Sequence, residues 1–202
     1  MTSSEPQASS TSGTVRRPDP LDIARLIQAE AGSGQRLPPV HLWNPPLSGD
    51  IDREIRRNGQ WFYLGTPINR APLVKLFSTV LRHDEDGGYY LVTPVEKWRL
   101  RVEDAPFLIT TVERLERDGM SYLQMTTQTG DVVVAGEEHP IRLAYQGDEP
   151  APYVLVRDRL EALIGRNAYY QLVEWGRAAT LADGREALMV ASAGQDFVIG
   201  HF

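Results

Sequence analysis

The sequence predicts an α+β fold of two related halves, each built from a mainly antiparallel sheet with short helices. Three observations favour this fold. Runs of alternating apolar and polar residues are separated by turn dipeptides such as Asn58-Gly59 and Asp118-Gly119. One stretch, residues 73–81, instead repeats its apolar residues with helical spacing. The order of an Arg, a short helix and a Tyr-Tyr pair occurs once in each half.

Composition and residue patterns predict a tail and two halves. Ser, Thr, Pro and Gly dominate residues 1–18, which predicts a disordered tail. We assign residues 19–105 to an N-terminal half, a helix followed by a ββαββ unit. Residues 106–202 form a β-rich C-terminal half with one short helix.

Charge and residue usage exclude several classes of function. The chain has 202 residues, a net charge of −6 and no cysteine. Binding to long nucleic acid needs a basic face, and no run of Lys and Arg supplies one. The net charge does not exclude a small pocket that binds one or two phosphates, because local charge can oppose net charge. Disulfides and thiol chemistry are excluded. No apolar run approaches the roughly 20 residues of a membrane span, so we expect a cytoplasmic protein without a membrane partner.

The N-terminal half opens with a predicted helix, Pro20–Ala31, with a broad apolar face. Trp43 follows between prolines and is interpreted as a side chain that covers the core. The alternative is that its ring stacks on a ligand. Residues 51–57 alternate apolar and charged, which predicts a half-buried strand. The turn at Asn58-Gly59 leads into a return strand, Gln60–Leu64.

The second helix of this half should begin after Asn69, which can cap it. Its apolar face combines Leu73, Leu76, Phe77, Val80 and Leu81. A turn at residues 84–88 should connect it to strands at 89–93 and 95–102, interrupted at Pro94.

The C-terminal half is predicted to consist mostly of strands. The expected strands are 108–117, 121–127, 131–135, 141–145, 153–157, 168–175, 186–191 and 197–199. A short helix is expected at Asp158–Ile164 and should end at Gly165. Further turns are expected at Asp183-Gly184 and Ala193-Gly194.

The two halves can be aligned as an internal repeat. Arg70 and Arg157 each precede a predicted helix with Leu three and six residues later. Each helix is followed by a Tyr-Tyr pair in the next predicted strand, Tyr89-Tyr90 or Tyr169-Tyr170. This order favours a domain duplication, and a cleft between two such halves is a natural ligand site.

The chain resembles a bacterial family, domain-of-unknown-function family 1285, from about Trp43 to Phe202. The residues that carry the resemblance are Trp61, Gly65-Thr-Pro-Ile-Asn-Arg70, Leu73-Val74, Leu76-Phe77, Tyr90-Leu-Val-Thr-Pro-Val-Glu96, Asp104-Ala-Pro-Phe107, Tyr153 and Val156-Arg157. The resemblance implies duplicated α+β halves, with a C-terminal half similar to pleckstrin-homology-like folds. It also implies a site between the halves for a nucleotide-like ligand and a role in signal transduction.

Seven residues are the candidate ligand-binding residues. Arg70 and Arg157 could each hold a phosphate or carboxylate, or form a salt bridge with Glu96 or Asp104. Thr93, Glu96 and Lys97 lie at the strand break, which could face a ligand or be a simple bulge. Trp61 and Tyr90 could stack on a base or belong to the core.

No catalytic or metal motif accompanies these residues. The four histidines are scattered, and no phosphate-binding Gly-Lys-Ser/Thr loop or nucleophile elbow occurs. We therefore expect no cofactor, and a non-enzymatic sensor of a small anionic or nucleotide-like ligand, with a signalling protein as a further partner. The alternative is a protein-interaction module that uses the C-terminal sheet. A hydrolase based on Glu96 and Asp104 is the least favoured hypothesis.

Overall fold

Two six-stranded sheets, A and B, carry the fold of residues 37–202, the part of the chain that the computed structural model describes. The predicted helix Pro20–Ala31 and the predicted tail, residues 1–18, lie outside this range. A 3₁₀ turn at Val40–Leu42 precedes the first strand, and Trp43 packs against the core beside it.

Sheet A contains the strands of the N-terminal half, in the order β3-β2-β1-β6-β5-β4. They are β1 (Leu47–Ile55), β2 (Trp61–Tyr63), β3 (Thr66–Pro67), β4 (Leu81–His83), β5 (Tyr89–Val92) and β6 (Lys97–Val102). Helix α1 (Ala71–Thr79) connects β3 to β4 and buries Phe77 and Ser78.

Sheet B contains the next six strands, in the order β10-β11-β12-β7-β8-β9. They are β7 (Phe107–Arg117), β8 (Met120–Thr127), β9 (Val132–Val134), β10 (Ile141–Gln146), β11 (Glu149–Arg157) and β12 (Leu160–Ile164). Helix α2 (Arg166–Trp175) follows. A three-stranded sheet C then ends the chain with β13 (Arg177–Thr180), β14 (Glu186–Ser192) and β15 (Gln195–His201).

Both large sheets follow one plan, which agrees with two related α+β halves. Each sheet consists of two three-stranded antiparallel meanders. In each, the first and last strands along the chain lie side by side in parallel, β1 with β6 and β7 with β12.

The residue-level repeat is wrong, because the predicted helix and strand after Arg157 are exchanged. Residues 158–164 form a tight turn and strand β12, in which Leu160, Ala162 and Ile164 alternate onto the buried side. Tyr169 and Tyr170 lie in helix α2 rather than in a strand. Leu160, Leu163 and Ile164, at spacings of three and four, fit a helix, but this stretch pairs with β11 on one side and with β7 on the other, which makes it a strand.

Three further differences concern the N-terminal half. Arg70, not Asn69, occupies the N-cap position of α1, and it forms no side-chain cap. Leu81 starts β4 instead of extending the helix, because the backbone N–H of Val92 donates to the carbonyl of Val80 at 2.9 Å and draws the chain into the sheet. The short strands β3 and β4 therefore turn the predicted ββαββ unit into βββαβββ.

Arg53 is a buried cation in the core of the N-terminal half. The alternation in β1 places its side chain on the same face as Ile51 and Ile55, and it is only 2% exposed. The guanidinium lies 3.7 Å from the ring of Phe77 and 5.4 Å from that of Tyr63. None of its nitrogens has a hydrogen-bond partner among residues 37–202. Burial lowers its pKa to about 10.

Asp131 ties the two halves together. It lies in the turn between β8 and β9, and its carboxylate is 3.0 Å from Lys75 Nζ of α1 and 3.3 Å from Arg157 Nη1. The Thr129 hydroxyl donates to the other oxygen at 2.6 Å. Burial alone would raise the pKa of Asp131, but the hydrogen bonds from Thr129 and Lys75 and the charge of Arg157 outweigh it, so the pKa is lowered.

Replacing Asp131 with Asn should destabilise the protein by about 2 kcal/mol, because hydrogen bonds to a charged group are lost and Arg157 keeps a half-buried charge without its carboxylate. Chemical denaturation at pH 7 measures the difference. Asp183→Asn is the matched control, since Asp183 pairs with Arg185 on the surface and its loss should leave the unfolding midpoint unchanged.

The wild type and Asp131→Asn also test how the Asp131 ion pairs depend on pH. A lowered pKa means that the charged carboxylate stabilises the fold above the ordinary Asp value of 3.8, and that this contribution is lost as the pH falls below it. The stability difference between wild type and Asp131→Asn should be constant near neutral pH and narrow in acid. A difference that stays constant down to pH 3 would contradict this assignment.

Replacing Arg53 with Met should raise the stability by about 1 kcal/mol, or roughly 2–4 °C in Tm, because an apolar side chain of similar length removes a buried charge that lacks an acceptor. A thermal melt measures the change. A clear loss of stability in Arg53→Met would mean that the contacts with the Phe77 and Tyr63 rings outweigh the cost of burial.

Candidate functional site

A cleft of about 610 Å³ lies where the two halves meet. The turn between β1 and β2 contributes one wall, and sheet B with the start of α2 contributes the others. The residues that line it are Arg57, Asn58, Leu108, Gln146, Glu149, Pro150, Ala151, Pro152, Leu163, Ile164, Gly165, Arg166, Tyr169 and Tyr170. Its volume suits a ligand of nucleotide size.

The floor of the cleft is apolar. Leu163 of β12 pairs with Leu108 of β7 on one side and with Tyr153 of β11 on the other. These residues form a small cluster with Ala105 and Ala151. A flat apolar group would therefore lie on side chains that are already fixed by the strand register.

Arg57 reaches the cleft from the N-terminal half. Its Nη1 lies 3.0 Å from Oδ2 of Asp104, and its side chain is 38% exposed. The contact is an ion pair without hydrogen-bond alignment, since neither atom has an aligned partner among the described residues. The other Asp104 oxygen accepts the Tyr153 hydroxyl at 2.8 Å. Burial, together with this hydrogen bond, raises the pKa of Tyr153 to about 12, so the hydroxyl is a donor at neutral pH.

The first turn of helix α2 opens on the same cleft. Gly165 is its N-cap residue and supplies no side-chain cap. A Cβ at this position would lie 2.7 Å from the carbonyl oxygen of Ile109, which accepts the Gly165 N–H at 3.0 Å. The close strand contact thus excludes the Ser, Thr or Asp that usually caps a helix. Arg166 is exposed beside this turn, where the helix dipole is positive.

A second groove, of about 520 Å³, lies on the other side of the same hairpin turn. Trp61, Pro72, Val74 and Lys75 line it from the N-terminal half, and Thr129 lines it from the C-terminal half. This groove is more apolar than the first and shallower. The turn at residues 58–60 forms the ridge between the two.

The sequence-predicted arginines do not converge on one ligand. Arg157 lies at the seam, but its Nη2 donates to the carbonyl of Ser78 at 2.5 Å and its Nη1 contacts Asp131. Its salt bridge is therefore with Asp131, not with Glu96 or Asp104. Arg70 is exposed at the opposite end of α1, about 12 Å away from Ser78 at 1.5 Å per residue.

The predicted residues at the strand break stabilise that turn. The Thr93 hydroxyl accepts the backbone N–H of Glu96 at 3.0 Å, and Thr93 is buried. Glu96 accepts the indole N–H of Trp98 at 3.1 Å. Both side chains thus have partners within the turn.

Tyr90 and Lys97 belong to a charged network on sheet A. The Tyr90 hydroxyl donates to Asp86 at 2.5 Å, and Lys97 Nζ lies 4.0 Å from the centre of the Tyr90 ring. Lys97 also donates to Asp84 at 2.5 Å. Burial would raise the pKa of Asp84, but hydrogen bonds from Arg82 and Lys97 outweigh it and lower the pKa.

Trp61 is a core residue that also lines the second groove. It is 1% exposed, and its ring stacks on Phe77 with centroids 6.3 Å apart. Its indole N–H has no partner among residues 37–202. Of the seven predicted residues, Trp61 is the one that lines a groove between the halves.

Sequence reasoning missed Arg57 and Arg166, the two cations of the first cleft. Arg57 directly precedes the Asn58-Gly59 turn signal, so the sequence could have predicted its position at the tip of a loop. Arg166 was hidden by the interpretation of Gly165 as a helix end. The apolar residues Ala168, Leu172 and Trp175, spaced by four and three, are the signal that could have revealed the helix.

Residues 37–202 contain neither a cluster of metal ligands nor a membrane-spanning helix. No three His, Asp or Glu side chains in residues 37–202 are arranged as metal ligands. Nor is any helix in this part of the chain long and apolar enough to cross a membrane.

Comparisons with known proteins identify the family. The model of the N-terminal domain of DUF1285, a domain of unknown function, matches residues 38–105, and that of the C-terminal domain matches residues 106–199. The crystal structure of a DUF1285 family protein from Silicibacter pomeroyi DSS-3 is 46% identical, with 91% of this chain and 95% of that chain covered and a TM-score of 0.78.

A second crystal structure, of a DUF1285 family protein from Shewanella baltica OS155, is 34% identical, with 61% of this chain and 91% of that chain covered and a TM-score of 0.49. No protein of curated function matches. The two family models together span most of the chain, and the sequence therefore belongs to the DUF1285 family, as its resemblance implied.

Proposed function

We propose that this protein is a non-enzymatic sensor that binds a small anionic, nucleotide-like ligand in the cleft between its halves. One observation supports this more than any other. Arg57 and Arg166, one from each half, line the same 610 Å³ cleft, and Arg166 lies at the uncapped start of a ten-residue helix. Backbone N–H groups at such a helix end and a nearby guanidinium together favour a phosphate or carboxylate.

The charge of the whole chain limits the ligand to a small one. The net charge of −6 repels a long polyanion, whereas two local cations and a helix end attract one or two phosphate groups. The expected ligand class is therefore unchanged, and Arg57 and Arg166 take the place of Arg70 and Arg157 as the groups that would hold its charge.

The location of the cleft supports a signalling role. The ligand would contact both halves at once, so its binding would change how firmly the Arg57 hairpin is held against the C-terminal half. We also propose that the C-terminal half is pleckstrin-homology-like. The mostly antiparallel sheet B and the antiparallel sheet C, joined by the single helix α2, support that comparison.

Arg166→Ala should abolish the stabilisation of the protein by inorganic pyrophosphate and nucleoside monophosphates. In the wild type, a ligand at 100 times its Kd should add about 2.7 kcal/mol, or roughly 5–10 °C in Tm. Arg166 is exposed, so its removal should leave the fold intact. Differential scanning fluorimetry with a nucleotide panel measures both effects.

Arg70→Ala is the matched control, because Arg70 is also exposed, lies at the start of the other helix and does not line the cleft. Its ligand-induced shift should equal that of the wild type. A shift that survives Arg166→Ala and disappears in Arg70→Ala would overturn the choice of cleft. If no anion in the panel stabilises the wild type, the binding function itself is wrong, and the protein-interaction alternative becomes the better hypothesis.

A further inference from the structure

The outer edge of strand β7 has no neighbouring strand along most of its length. Strand β12 pairs with β7 at residues 107–109 and then ends, because the chain turns into helix α2 after Gly165. Beyond this point β7 continues to Arg117, and among residues 37–202 it pairs there with β8 alone. An open strand edge of this kind can pair with a strand from another chain.

The last part of this edge, residues 113–117, is accessible to a partner. All of these residues are exposed, and none of them lines either groove between the halves. The two-residue turn at Asp118-Gly119 makes the residues on either side of it a hydrogen-bonded pair, and bonded and non-bonded pairs then alternate along the hairpin. Arg114 and Glu116 therefore direct their backbone N–H and C=O groups away from β8, towards the open side.

The charges along this edge are complementary to themselves. The sequence is Glu-Arg-Leu-Glu-Arg, with Leu115 at its centre. When a second copy lies antiparallel with Leu115 opposite itself, each Glu113 faces the partner's Arg117. In the same register each Arg114 faces the partner's Glu116. Opposite charges directly across an antiparallel pair stabilise it and like charges destabilise it, and a centre at Arg114 or Glu116 would place like charges opposite each other.

The backbone and the apolar side chains favour the same register. Arg114 and Glu116 would form the hydrogen-bonded pairs with the partner, and Leu115 would lie between them in a non-bonded pair, where opposite side chains are closest. Leu115 is 45% exposed and pairs with Tyr122 of β8, so the two copies would bring these side chains into one apolar row across both hairpins. Arg114 and Glu116 contact each other at 2.8 Å within one chain, and both stay about half exposed to a partner.

We propose that the protein forms a symmetric dimer through this edge, with the two β7 strands antiparallel and sheet B continuous across both copies. A two-fold contact uses the open edge of each copy, so the assembly ends at two chains. A contact over residues 113–117 is small, and the net charge of −6 on each chain opposes association. The dimer is therefore weak and depends on protein concentration.

Charge reversal at Glu113 and Arg117 tests the dimer. Sedimentation equilibrium of the full chain over a micromolar concentration series should show a reversible dimer for the wild type. Glu113→Arg and Arg117→Glu should each raise the dimer Kd at least about tenfold, because both symmetry-related ion pairs become repulsive. The double substitution places opposite charges across the axis again and should return the Kd to near the wild-type value.

A mixture of the two single variants separates loss of this contact from loss of folding. One variant supplies two cations and the other two carboxylates, so together they should form a heterodimer although each alone is a monomer. Glu138→Arg makes the same change of net charge on an exposed loop residue and should keep the wild-type Kd. A wild type that stays monomeric throughout the series would overturn the proposal, as would a dimer that tolerates Glu113→Arg. Failure of both the mixture and the double substitution to associate would overturn the register about Leu115.

Discussion

The packing of one hairpin turn against the C-terminal half determines where both grooves lie. Gly59 has a φ of +78°, and a Cβ there would lie 3.1 Å from both Leu108 and Gln128, so the turn needs glycine for its conformation and for its fit. The Gln128 side chain accepts the backbone N–H of Leu108 at 2.7 Å and fixes this contact. Because the turn is held there, Arg57 faces one groove and Trp61 the other.

Charges at the seam divide into those that hold the fold and those that remain accessible. Arg157 and Asp131 are both half-buried and matched by hydrogen bonds, so they stabilise the association of the halves and offer little to a ligand. Arg166 is exposed at the larger of the two grooves, and Arg57 is partly exposed there, with one guanidinium nitrogen buried against Asp104. Accessibility, more than charge alone, separates a candidate ligand residue from a structural one.

Local sequence signals predicted the turns and most strands, but not the features that depend on tertiary contacts. Asp118-Gly119 forms a two-residue hairpin turn, Asn58-Gly59 lies in a three-residue loop closed by Arg56 and Gln60, and α1 has a full helical period. Leu160–Ile164 fits either period, and its partners in β7 and β11 decide that it is a strand. The site was harder to predict, because residues 57 and 166 are brought together only by the docking of one half on the other.

The most direct test of the account is a two-dimensional ¹H–¹⁵N NMR titration of the protein with inorganic pyrophosphate. If the anion binds at the start of α2, the backbone amides of Arg166, Asn167 and Ala168 should shift in a saturable way, together with the Arg57 side chain. If these signals stay fixed while the amides at the start of α1, Ala71 and Leu73, shift instead, the cleft described here is not the ligand site.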